Sequence, residues 1–190
     1  MANLIYVTNV SLDGYIEDER GAFAWLPLDD EVFTFTTDLV RSVGTFLYGR
    51  RLYESMAVWE TDPALAAGSE LMAEFARVWK EADKVVYSTT LAAVSTADTR
   101  IERQFDPAAV RQLKATASSD LTIGGADLAA QAFQAGLVDE VQLLVWPVVV
   151  GGGKPGLPTG MRVDLQLLEE RRFRNGVVHL RYHALAGEPR

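Results

Sequence analysis

The chain contains no cysteine in its 190 residues. That single absence removes disulfides, thiolate zinc sites, iron–sulfur clusters and cysteine nucleophiles, and it fits a reducing, cytoplasmic setting. Histidine is nearly as scarce. The two present, His179 and His183, are evenly spaced in one apolar segment with Arg181 between them on the same face. Without a carboxylate or third ligand nearby, that arrangement favours a solvated or interface role, and no metal site is expected. The nucleophile pattern G-x-S-x-G is missing, as are H-E-x-x-H, the P-loop and the EF-hand, which disfavours hydrolysis by the familiar serine and zinc routes. Basic residues are outnumbered 18 to 26, giving a formal net charge of −8. A broad nucleic-acid-binding face needs clustered Lys and Arg, so none is expected. No apolar run approaches the ~20 residues of a membrane span, and Met1-Ala2-Asn3-Leu4-Ile5 opens without the basic and long apolar regions of a signal peptide. No repeat or linker divides the chain, so residues 1–190 are expected to form one cytoplasmic domain without membrane or nucleic-acid partners.

What is present alternates between strand and helix patterns. Leu4–Val10 is a β-branched and aromatic run, interrupted at Asp13-Gly14, a turn-forming pair. Val32, Phe35, Leu39 and Val43 recur at helical spacing from about Asp29, with Asp29 or Asp30 placed to cap. Strands are expected at Thr45–Tyr48, Lys84–Tyr87 and Leu121–Ile123, with a helix over Ser69–Ala82. Asp106-Pro107 starts another helix, because Asp accepts from free N–H groups and Pro lacks one. A further helix covers Ala126–Ala135 and ends at Gly136. Val141–Val150 reads as an apolar strand broken by Pro147. Leu165–Arg174 and Val177–Leu185 flank Asn175-Gly176, a two-residue hairpin signal. The pattern predicts an α/β sandwich around a mixed, mostly parallel sheet with a C-terminal antiparallel hairpin.

Three strand ends carry groups suited to anions. Ile123-Gly124-Gly125-Ala126-Asp127 places adjacent glycines between a strand and a helix, where backbone N–H groups reach a phosphate or simply turn the chain. Tyr48-Gly49-Arg50-Arg51 offers two guanidiniums that either clamp phosphate or open a helix and pair with Glu54. Ser88-Thr89-Thr90 adds hydroxyl donors at a comparable position. None is a G-x-G-x-x-G fingerprint, and the set is more informative than any member.

Val7-Thr8-Asn9-Val10-Ser11-Leu12-Asp13-Gly14-Tyr15-Ile16, Tyr48-Gly49-Arg50-Arg51-Leu52-Tyr53-Glu54, Ile123-Gly124-Gly125 and Pro147-Val148-Val149-Val150-Gly151-Gly152-Gly153-Lys154-Pro155 together resemble the dihydrofolate-reductase-like family. They are most similar to its branch related to the reductase domain of the bifunctional riboflavin-biosynthesis deaminase/reductase. The zinc signature of the deaminase half, H-x-E with P-C-x-x-C, is absent from these residues. The resemblance covers nearly the whole chain and implies a dihydrofolate-reductase-like three-layer sandwich, NADPH as cofactor, a small-molecule substrate and a homodimer. It implies that Gly49, Arg50 and Arg51 meet the cofactor phosphates, that Ser88 and Thr89 lie near the adenosine ribose or its phosphate, and that Gly124, Gly125, Ala126 and Leu128 border the pyrophosphate. Ser11, Asp13 and Gly14 would approach nicotinamide and substrate. Related sequences often carry Thr where Leu52 stands, a hydroxyl that would help hold phosphate.

The chemistry so implied is hydride transfer to a heterocycle or carbonyl, such as reduction of 5-amino-6-(5-phosphoribosylamino)uracil. The cofactor supplies the reactive carbon, and the protein supplies position and a proton source. The candidate acids are Asp13, Asp30 and Glu31. Each also has a plain role, Asp13 in its turn and Asp30 and Glu31 as first-turn helix charge beside Asp29. Trp25 and Trp59 either wall the pocket or pack in the core. Dihydrofolate reduction and a nucleotide-binding dimer without turnover are the alternative functions. Dimerisation is expected through Val141–Val150 and the glycine-rich loop after it.

Overall fold

The computed structural model describes residues 1–185. In chain order the elements are β1 (Leu4–Ser11), β2 (Tyr15–Glu17), α1 (Asp30–Arg41), β3 (Val43–Gly49), α2 (Arg50–Met56), α3 (Val58–Thr61), α4 (Pro63–Ala66), α5 (Glu70–Glu81), β4 (Asp83–Tyr87), β5 (Thr99–Glu102), α6 (Pro107–Thr116), β6 (Asp120–Gly124), α7 (Ala126–Gln134), β7 (Glu140–Trp146), β8 (Lys154–Pro155), β9 (Leu165–Arg172) and β10 (Val178–Ala184). Eight strands form one sheet in the order β5-β4-β3-β6-β1-β7-β10-β9, and β2 pairs with β8 in a small second sheet. The strands from β5 to β7 run parallel, and β10 and β9 close the sheet antiparallel. The mixed sheet and C-terminal antiparallel pair match the expected fold class.

Strand alternation assigns the two faces. Leu4, Tyr6 and Val10 of β1 join Leu121 and Ile123 of β6 in a cluster with Val110 of α6 and Leu128, Ala129, Ala132 and Phe133 of α7. On the other face, Phe46 and Tyr48 of β3 pack with Val40 of α1, Tyr53 of α2 and Phe75, Val78 and Trp79 of α5. A fully buried side chain of this kind contributes about 1.5–3 kcal/mol relative to exposure, so these two clusters fix the three layers.

The local signals set the helix starts. Asp29 Oδ1 accepts from Val32 N at 3.0 Å, Ser69 Oγ from Met72 N at 3.2 Å and Asp106 Oδ1 from Ala108 N at 2.8 Å. Each caps an otherwise unpaired N–H.

Two expectations are corrected. The strand expected over Val141–Val150 ends at Trp146, because Pro147 lacks the N–H that would continue the ladder. That strand lies between β1 and β10 with all but one of its residues buried. The hairpin loop spans three residues, not two: Arg172 pairs with Val178, Phe173 N donates to Val177 O, and Gly176 sits at φ +90. A left-handed glycine closing a three-residue loop is the next commonest hairpin after the two-residue type.

Candidate functional site

The chain runs outward from β3 to β4 and β5, then returns past β3 to β6. Such a reversal leaves a crevice at the carboxyl ends of the strands. Here it is a cleft of about 610 Å³, floored by Gly49 and Gly125, flanked by Tyr87–Thr90 from the end of β4 and by Arg103, Gln104 and Phe105 beyond β5, and bordered by Ala126–Leu128 of α7. Arg50, Arg51, Arg103 and Lys154 line it against a single carboxylate, Asp127. A local excess of cations thus stands in a chain of net charge −8.

Several contacts hold this rim in place. Arg50 Nη1 donates to Thr90 Oγ1 at 2.8 Å and its Nε lies 3.4 Å from Glu54. Arg103 Nη1 donates to the carbonyls of Ser88 at 3.0 Å and Leu91 at 2.7 Å. Ser88 Oγ in turn accepts from Thr90 N and Leu91 N, which shapes the hydroxyl-bearing loop. Helix α7 starts at Gly125, φ +94, with no side-chain cap. Its first N–H groups therefore remain available to an anion. Lys154 Nζ reaches Asp127 Oδ2 at 2.5 Å, tying the glycine-rich loop to α7 across the rim. Burial raises the Tyr87 hydroxyl to about 12, so it stays protonated as a wall of the cleft.

A second, smaller cavity of about 140 Å³ opens on the α1 face of the sheet. Val7 and Asn9 of β1, Thr122 and Gly124 of β6, and Leu144 of β7 form its floor, and Thr36 of α1, Met56 of α2 and Phe75 and Trp79 of α5 its roof. Leu52 lines both cavities. Trp79 Nε1 donates to Tyr48 Oη at 3.2 Å, and burial raises the Tyr48 hydroxyl far above its usual value. Tyr48 is therefore neutral, and no other lining residue of this cavity is ionisable.

The structure brings the sequence candidates for phosphate binding together. Gly49, Arg50, Arg51, Ser88, Thr89, Gly125, Ala126 and Leu128 all line the larger cleft, and Gly124 lines the smaller cavity. The candidate acids sit elsewhere. Asp13 accepts from Ser11 Oγ at 2.7 Å, Gly151 N at 2.8 Å and Val150 N at 3.2 Å. The Ser11 hydrogen bond first, then those backbone donors, hold its carboxyl below the ordinary aspartate value. Ser11 Oγ accepts from Tyr15 N, so Ser11 and Asp13 together fasten the β1–β2 turn to the glycine-rich loop. Asp30 is exposed, and Glu31 accepts from Arg174 N at 3.1 Å, joining α1 to the terminal hairpin. None of these carboxylates lines either cavity.

The tryptophans are placed differently as well. Trp59 packs between Phe33 and Phe75, one residue behind the cavity wall, and Trp25 packs beside the cluster of Val32, Leu144 and Trp146. The aromatic walls are Phe46, Tyr48, Phe75 and Trp79. Arg103, Phe105 and Lys154 escaped the sequence reading. The glycine run before Lys154 was its only signal, and Arg103 follows a half-exposed edge strand with weak alternation. His179 is buried, 2% exposed, with Nε2 3.0 Å from Gln142 Oε1 and its ring 4.7 Å from Phe35, in place of the solvated or interface role expected. His183 is exposed.

Among the described residues no group of three or more His, Cys, Asp or Glu is arranged to hold a metal ion, and no helix is long and apolar enough to cross a membrane. A family model described as the RibD C-terminal domain matches residues 2–179. The chain is 30% identical over 181 residues to the uncharacterized protein YyaP of Bacillus subtilis (strain 168), covering 92% of this chain and 90% of that one. A protein of Shewanella sp. PV-4, named for riboflavin biosynthesis, superposes with a TM-score of 0.76 at 21% identity over 98% of this chain and all of its own. The diaminohydroxyphosphoribosylaminopyrimidine deaminase/5-amino-6-(5-phosphoribosylamino)uracil reductase of Thermotoga maritima aligns with a TM-score of 0.63 at 14% identity over 97% of this chain, which spans 57% of that larger protein. Both structures share the dihydrofolate-reductase-like fold found here.

Proposed function

The chain belongs to the RibD C-terminal domain family, reductases of the riboflavin-pathway type, and on that premise we propose that it is an NADPH-dependent reductase of a small heterocyclic or carbonyl compound. One observation carries this reading. A cation-lined cleft with an uncapped helix start shares the Leu52 side chain as a wall with a cavity that holds no ionised group. A dinucleotide's anionic phosphates match such a cleft, and the uncharged cavity beside it is left for the compound that the dinucleotide reduces.

The residues present fit that group. Gly49 and Gly125 leave the cleft floor free of side chains, where a Cβ on Gly125 would lie 3.6 Å from Gly49 N. The first N–H groups of α7 would hold the pyrophosphate. Arg50, Arg103, Thr89 and Thr90 would hold the phosphate on the adenosine ribose, with Arg103 already oriented by two carbonyls. Guanidinium groups suit such phosphates because their planar forks bind two oxygens at once. When bound, the cofactor supplies hydride. The protein supplies orientation, cation pairing and exclusion of water.

Titration with NADPH and NADH, followed by tryptophan fluorescence and calorimetry, tests the reading. NADPH is expected to bind more tightly, and Arg50→Ala or Arg103→Ala to weaken NADPH by about 10- to 100-fold, as loss of a charge-assisted hydrogen bond does. NADH should change little. Failure of both nucleotides to bind at millimolar concentration overturns the proposal.

A further inference from the structure

The smaller cavity defines a substrate class, and this inference rests on the reductase reading above. The polar side chains of its lining on this face are hydroxyls and one amide: Asn9, Thr36, Thr122 and the neutral Tyr48. Thr36 Oγ1 is occupied, donating to Val32 O at 2.9 Å. Tyr48 Oη accepts from Trp79 Nε1 and keeps its own O–H proton. Ile5 of β1 pairs with Thr122, so Asn9 lies four residues, roughly 13 Å, further toward the carboxyl ends of the strands. Thr122 and Asn9 therefore line the cavity at different levels, Asn9 toward the carboxyl ends of the strands.

The amide of Asn9 has a fixed orientation. Trp146 Nε1 lies 2.9 Å from it, and an indole N–H can only donate. The atom facing the indole is therefore the carbonyl Oδ1, and the remaining Nδ2 is a two-proton donor. Among the described residues Nδ2 has no hydrogen-bond partner within the chain. A donor held in the lining of an uncharged cavity is matched by an acceptor oxygen that carries no full charge.

We propose that this cavity takes a compact, uncharged carbonyl compound, with Asn9 Nδ2 donating to its carbonyl oxygen. A 2-amino-4-oxo pterin ring presents an amidine edge that calls for a carboxylate, and the cavity has none. A phosphorylated substrate calls for cations, and all those lining either cavity belong to the larger cleft. The volume of about 140 Å³ also falls well below the ~300 Å³ at which pockets for larger ligands begin.

The reaction balances as a two-electron reduction. The carbonyl carbon gains a hydride from the reduced nicotinamide dinucleotide, forming a C–H bond as the C=O π pair moves onto oxygen. The oxygen then takes a proton from water, leaving an alcohol and the oxidised dinucleotide. As charge develops on that oxygen, the Asn9 N–H stabilises it more than it stabilises the neutral carbonyl.

The test measures binding to the protein saturated with NADP⁺, by tryptophan fluorescence, with benzaldehyde, 7,8-dihydropterin and ribose 5-phosphate as probes. Benzaldehyde is expected to bind most tightly. Asn9→Asp keeps the oxygen that accepts from Trp146 and replaces the donor with an acceptor. It should weaken benzaldehyde about tenfold, the order of one lost hydrogen bond, and tighten dihydropterin. Asn9→Gln, which retains a donor on a longer arm, serves as the second variant should Asn9→Asp fail to fold, and it should shift benzaldehyde binding less. If dihydropterin or ribose 5-phosphate binds the unmodified protein as tightly as benzaldehyde, or if benzaldehyde binding survives Asn9→Asp unchanged, this inference falls while the reductase reading stands. Failure of NADP⁺ and NADPH to bind would instead remove the reductase reading itself.

Discussion

Leu52 lies across Gly124 so closely that a methyl group on the glycine would collide with Leu52 Cδ2, and the same leucine is common to the linings of both cavities. Gly124→Ala should therefore act twice. Overpacking is expected to lower stability by about 1–3 kcal/mol, a fall in Tm of roughly 3–9 °C for a chain of this size. The displaced leucine should also weaken NADPH binding. Adding Leu52→Ala should recover part of both losses, a coupling that a double-mutant cycle measures directly.

Asp13 links three donors from two loops, and it contributes to order more than to proton transfer. Asp13→Ala is expected to raise hydrogen exchange at Val150 and Gly151 while NADPH affinity changes little. Because its folded pKa is lowered, the stability it contributes is present above the unfolded value near pH 4 and is lost as pH falls through the folded value. Chemical denaturation at pH 5 and pH 3 should show this dependence, and Asp13→Ala should lack it.

His179 gives a second pH dependence of known sign. Gln142 Nε2 faces Glu140 Oε2, so Gln142 Oε1 faces the imidazole, and the histidine donates from Nε2. Its Nδ1 is buried and has no partner among the described residues. Burial lowers the pKa, with Arg181 and Arg171 acting in the same direction and Glu169 against it. A histidine kept neutral in the folded state loses stability as pH falls through the unfolded value near 6.5. The urea midpoint should therefore drop between pH 7.5 and pH 5.5, and His179→Gln should remove much of that drop.

The Lys154–Asp127 pair competes with any anion in the cleft. Asp127→Asn should free the ammonium and strengthen NADPH binding about two- to fivefold at low salt, in line with an exposed ion pair. The gain should shrink at 0.5 M salt, where screening acts over a few ångströms. Calorimetry at the two ionic strengths checks both.

Much of this was legible in the sequence, for reasons that are local. Asp29, Ser69 and Asp106 cap helices where their side chains already reach the free N–H groups, and Leu4–Val10 is too apolar to lie anywhere but inside. The phosphate candidates share one cleft because they all follow parallel strands, whose carboxyl ends face one way. What stayed hidden depends on distant partners. Nothing near His179 announces Gln142 beneath it, and Asp13 reads as a turn residue until Val150 and Gly151 arrive. Arg103 becomes a cleft residue only once β5 is placed beside β4.

The central position of β1 has a consequence for the order of synthesis. Leu4 pairs with Leu121, and Tyr6 with both Ile123 and Val141, so the first strand made waits for nearly the last parallel one. Contacts at such separation form slowly, since a long loop must close before any ladder bond is gained. A chain emerging from the ribosome therefore carries an apolar strand with no partner until β6 is out and with one open side until β7 follows, and a nascent chain stopped before β6 should remain protease-sensitive whatever its helices do.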